Sequence, residues 1–153
     1  MKNIFFGPVG HRGRQLALPE TITKVVSYRE LDLEVKYHIN FDGERLRVVS
    51  MEVSSEYGVG TAALTKMKLP DMLRELVYER NNWLHEILSS GDTTKVSLAQ
   101  LYWAEYVCQG SPRLTVQKQI GKARNTTNHH LKKFEAGGLL PKDRARVARP
   151  RHA

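Results

Sequence analysis

Cysteine is almost missing from this chain: Cys108 stands alone among 153 residues. That excludes an internal disulfide and any site built on paired thiolates. Long hydrophobic runs are missing too. The N-terminal "IFF" is too short for the apolar core of a signal peptide, and no stretch reaches the roughly 20 residues that a membrane helix needs. A cytoplasmic protein with no membrane partner is the expectation. A hydrophobic fraction of 41% beside a charged fraction of 26% is that of a folded chain, not a disordered one.

Acid is scarce in one part only. Residues 1–92 carry 12 Lys/Arg and 13 Asp/Glu, whereas residues 93–153 carry 12 Lys/Arg and 3 Asp/Glu. The whole excess behind the net charge of +8 therefore lies in the C-terminal part. Such a split is expected of a nucleic-acid-binding region joined to a neutral one. A solvated basic tail would account for the last dozen residues, but not for the basic helix before them.

Catalytic and cofactor motifs are lacking. Gly58-Val59-Gly60 has neither the third glycine nor the strand–helix setting of a dinucleotide loop, and no P-loop lysine follows any glycine cluster. Glu30, Asp32 and Glu34, together with His38, read as the solvated face of a strand. His129 and His130 are adjacent, so on a helix they point to different sides and make a poor metal pair. Asn125-Thr126-Thr127 fits a glycosylation sequon, which has no meaning without a secretory signal. Trp83, Tyr102, Trp103 and Tyr106 sit at helical spacing among aliphatic residues and read as packing. No enzyme, cofactor or metal site is expected.

What is present is periodicity. In "LDLEVKYHINF" (31–41), Leu31, Leu33, Val35, Tyr37, Ile39 and Phe41 alternate with polar residues, the pattern of a strand with one buried face. Asp42-Gly43 supplies a tight turn. The return strand over 44–54 changes phase between Val48 and Val49, which predicts a bulge or a doubly buried middle. Residues 21–27 are a candidate third strand, and the glycine- and proline-rich residues 1–20 a loop or mobile arm. Pro70 opens a helix whose apolar stripe runs from Leu69 to Leu88 and suits the hairpin's buried face. The polar "SSGDTT" (89–94) is the candidate domain boundary. A helix over 95–109 follows, with Thr94 as its cap.

Within "TVQKQIGKARNTTNHHLKKFEAGGLLP" (115–141), a short helix, the turn glycine Gly121 and a second helix over about 124–136 come in succession. Thr127, Leu131 and Phe134 share one face, suited to packing on Val116 and Ile120. Arg124, Asn125, Asn128, His129, Lys132 and Lys133 fall on the other. Arginine and asparagine can read guanine and adenine edges, and lysine suits phosphate.

Residues 95–141 resemble the helix-turn-helix family of bacterial and phage DNA-binding proteins. Ile120, Gly121, Ala123, Arg124, Asn125, Thr126 and Leu131 carry the resemblance, and the exit "EAGGLLP" is similar as well. It implies that the second helix reads the DNA major groove through Arg124, Asn125, Thr126, Asn128, His129, Lys132 and Lys133. The tail adds Arg144, Arg146, Arg149 and Arg151 as an arm for phosphates or the minor groove. Too few residues remain after Leu140 for a complete wing.

The expected architecture is α+β: an antiparallel hairpin or sheet packed with a helix (1–92), then an all-α helix-turn-helix domain with a basic C-terminal arm (93–153). The expected function is sequence-preferring binding of double-stranded DNA, as a transcriptional regulator and homodimer. The alternative is an adaptor or inhibitor that docks another protein through the helix pair. Lys122 and Ala123, which stand where the family has a hydrophobic residue and a capping Ser or Thr, favour that alternative.

Overall fold

The computed structural model describes residues 2–142. The strands are β1 (Asn3–Phe6), β2 (Leu16–Pro19), β3 (Thr21–Tyr28), β4 (Leu33–Phe41) and β5 (Leu46–Ser54), of which β4 alternates apolar and polar residues most fully. The helices follow: α1 (Thr61–Thr65), α2 (Leu69–Arg80), α3 (Leu84–Ser90), α4 (Lys95–Val107), α5 (Pro112–Ile120) and α6 (Arg124–Ala136). β1 pairs with β2, and β3-β4-β5 form a second antiparallel sheet. The protein is α+β, with its sheets before most of its helices.

Strand β4 has the alternation expected of it: Leu33, Val35, Tyr37, Ile39 and Phe41 are all buried. At its far end the Asp42 carboxylate accepts the N–H groups of Glu44 and Arg45, at 2.8 and 2.9 Å, and shapes the turn. The phase change in β5 is a bulge. His38 faces Ser50 while Ile39 faces Val48, so Val49 is the extra residue. β3, the candidate third strand, completes the sheet through eight paired residues.

Residues 1–20 are not a mobile arm. Leu16 and Leu18 are fully buried and Phe6 nearly so, and β1 and β2 form a hairpin that closes one end of the core. The glycines that suggested an arm serve turns and close approaches instead. Gly7 and Gly13 take positive φ, and a Cβ on Gly10 would sit 2.7 Å from Gln100 Nε2. The single helix expected over 69–88 also divides in two. Asn81 ends α2 because its side chain serves β2: Oδ1 accepts Ala17 N–H at 3.0 Å and Nδ2 donates to Ala17 O at 3.1 Å. Thr94 sits at the N-terminus of α4 but makes no side-chain cap bond. Asp92 takes that place, accepting Thr94 N–H at 2.8 Å and Ser97 Oγ–H at 2.7 Å. Those two bonds hold its carboxyl below the usual range.

Helix α4 is buried nearly all round and joins the sheets to the last two helices. Phe6 meets Trp103 edge to face at 6.0 Å, and Gln100 donates to the carbonyls of Pro8 and Arg14. On the other side Trp103 Nε1 donates to Leu139 O at 2.8 Å, just past α6. Phe6, Val35, Leu76, Leu101, Val116 and Phe134 belong to one hydrophobic cluster. The polar joint at 89–94 thus marks a change of charge within one core.

Candidate nucleic-acid interface

Helix α5 ends at Gly121, whose left-handed backbone (φ 73°, ψ 28°) returns its N–H to Gln117 O at 2.9 Å. A Cβ there would favour ordinary helical φ and extend α5, so glycine makes the turn cheap. Lys122 crosses the gap, and Ala123 is the extended residue that precedes α6. Ala123 has no side-chain acceptor for the first N–H groups of α6, so those donors remain open at the helix start.

The buried face of α6 is the expected one: Thr127 is 0% exposed, Leu131 3% and Phe134 5%, with Val116 of α5 at 0%. Thr127 is tolerated in this apolar position because its Oγ1–H donates to Ala123 O at 3.1 Å. The hydroxyl is satisfied while its methyl group packs.

Opposite lies a polar surface. Arg124, Asn125, Thr126, His129, Lys132 and Lys133 are exposed, and Asn128 is half-buried. At about 100° per residue, Asn125, His129 and Lys132 run along the centre of the outward face, with Lys133 beside them. Arg124 and Asn128 flank it on the side nearer Leu131. No side-chain hydrogen bond or ion pair within the described residues engages Arg124, Asn125, Asn128, His129, Lys132 or Lys133. The seven ion pairs among the described residues all lie between Arg14 and Glu105. Lys95, Lys118 and Lys122 are also exposed and without a carboxylate. Arg144, Arg146, Arg149 and Arg151 lie outside the described residues.

Two features of this surface were not apparent from the sequence. Lys95, the first residue of α4, meets Lys122 and His130 around a cleft of about 400 Å³ floored by Leu98, Ile120 and Phe134. Lys95 and His130 are 35 positions apart, and no local pattern joins them. Gln119 reaches back to the joint: its Nε2 donates to Ile87 O at 2.8 Å and Asp92 O at 3.0 Å. That fixes α5 to the end of α3. Among the described residues no three His, Cys, Asp or Glu side chains converge as metal ligands would, and no helix is long and apolar enough to cross a membrane.

Compared with protein-family models, curated proteins and solved structures, the chain has no significant match.

Proposed function

We propose that this protein is a non-enzymatic, sequence-preferring double-stranded DNA-binding protein of the cytoplasm. It acts as a transcriptional regulator, lays α6 in the major groove and works as a homodimer. One observation carries the reading: the outward face of α6 holds six cationic or amide- and imidazole-bearing side chains, and none has a partner within the described residues. Unpaired side chains on one helix face are what base edges and phosphates require. Lys95 and Lys122, beside the cleft at the His130 flank of α6, suit contacts to the DNA backbone. A homodimer would double the contacts of a reading head this small.

Docking of another protein has one observation in its favour. Leu88 and Leu114, 39% and 44% exposed, line a common groove of about 630 Å³ bounded by α2, α3 and α5. A gel shift of the full chain on random duplex, at low and moderate salt, separates the readings. Retardation at low salt that falls steeply as salt rises supports DNA binding. No retardation at low salt overturns it and leaves the docking reading.

A further inference from the structure

Strand β5 is an open edge. It pairs with β4 alone, runs nine residues without proline or lysine, and exposes Val49 by 57% and Met51 by 41%. Natural sheets usually guard such an edge, often with an inward-pointing charge. The opposite edge, β3, is guarded in that way: Lys24 lies on the same face as buried Tyr37 and is held by Glu79 of α2 at 3.0 Å. β5 has no counterpart.

The bulge sets which residues of β5 can pair outward. Phe41 N–H donates to Glu20 O on the β3 side, so its partner Leu46 turns its own backbone groups away from β4. The Leu46 carbonyl is accordingly taken by Gln109 Nε2 at 3.1 Å. Val48 has the same orientation. Beyond the bulge the phase shifts by one, and Met51 and Val53 carry it on. Both the buried-side residues and the outward backbone groups therefore fall at 46, 48, 51 and 53, a pattern symmetric about the 49–50 bond.

From this we infer that a second copy of the chain docks here, β5 against β5, about a two-fold axis between Val49 and Ser50. Two-fold symmetry makes a strand meet itself antiparallel. In this register Val48 faces the partner's Met51 on the core side, and Arg47 faces the partner's Glu52 on the solvent side, each pair occurring twice. A register one residue away sets core-side positions against solvent-side ones. Arg47 and Glu52 are free to turn outward: their nearest internal ion pairs are long, at 3.9 Å to Asp42 and 3.8 Å to His38. The joined sheet has six strands. The inference deepens the homodimer part of the reading above and is independent of what α6 binds.

The test is sedimentation equilibrium of the full chain without DNA, on the wild type, Arg47→Glu, Glu52→Arg and the double reversal. The wild type is expected to dimerise. Each single reversal places like charges opposite at two sites and should weaken dimerisation about tenfold, while the double reversal should restore it. Val49→Lys, at an exposed position on the axis, should give a monomer that still unfolds cooperatively, with a melting temperature that no longer rises with protein concentration. A wild type that stays monomeric overturns the inference. So does a dimer indifferent to all four variants, or a double reversal no better than the singles. If the dimer behaves as expected and duplex is not bound, only the DNA reading falls.

Discussion

Arg74 Nε lies 2.9 Å from Glu105 Oε1, and this ion pair ties α2, on the sheet, to the central helix α4. The Glu105 side chain is 3% exposed, whereas Arg74 is 43% exposed, so the carboxylate depends on the guanidinium for its one strong counter-charge. The Glu105 backbone carbonyl also accepts Gly110 N–H at 2.8 Å, and a Cβ on Gly110 would collide with Oε2. Arg74→Ala should lose about 1–3 kcal/mol, because it leaves a buried acceptor unpaired while water still reaches the site. Adding Glu105→Gln should return part of the loss. Urea midpoints of both variants are the check, and equal losses in the single and double variants would deny the pair its role.

Alkaline pH should unfold the protein early. Burial, reinforced by the nearby Glu105, pushes the Cys108 thiol from its ordinary 9.0 up to about 12, and burial raises Tyr37 and Tyr78 as well. A group with a raised folded pKa contributes stability that is complete below its unfolded pKa and is lost as pH rises through the folded one. For Cys108 that window runs from 9.0 to about 12. Within it the thiol alone contributes a slope of about 1.4 kcal/mol per pH unit. Cys108→Ala should flatten the urea-midpoint profile across this window, with the tyrosines setting what remains.

The joint at 89–94 should resist proteolysis, because Gln119 holds the carbonyls of Ile87, just before it, and of Asp92, within it. The link after β5 has no such clamp, and Tyr57 there is 85% exposed. Brief chymotrypsin treatment, which ignores the basic arm, should cut first after Tyr57. A first cut after Leu88 would contradict this order.

What the sequence discloses is what repeats locally. β4 was legible because nine alternating residues leave no competing period, and even the β5 bulge showed as a slip between Val48 and Val49. β1 and β2 were not, since four-residue strands alternate too briefly to stand out beside their glycines. The break at Asn81 was hidden because Trp83, Leu84 and Ile87 stay in helical phase across it. Glu105 left a trace, a lone charge within "LYWAEYVC", but its partner lies on another helix and no local rule finds it. The same limit applies to the interface. The extent of α6 and its buried stripe follow from period, whereas the half-burial of Asn128 is a matter of tertiary packing that no local pattern records.

That difference decides how α6 is to be tested. Asn125 lies at the centre of the outward face and Asn128 at its flank, so the two asparagines should not count equally. If α6 enters the major groove, Asn125→Ala should cost about 1–3 kcal/mol on the preferred site and much less on random duplex. Asn128→Ala should cost less on the preferred site, because the residue is half-buried at the flank of the face. Lys132→Ala should weaken preferred and random sites alike and reduce the log–log salt slope by about 0.9, the value for one phosphate contact. The preferred site comes from selection on a random duplex pool, and each variant is first checked by thermal melting. Should neither asparagine change alter the preferred-to-random affinity ratio, α6 does not read bases. A lysine effect on both sites without an asparagine effect would then make α6 a backbone-binding helix, and specificity would have to reside elsewhere in the chain.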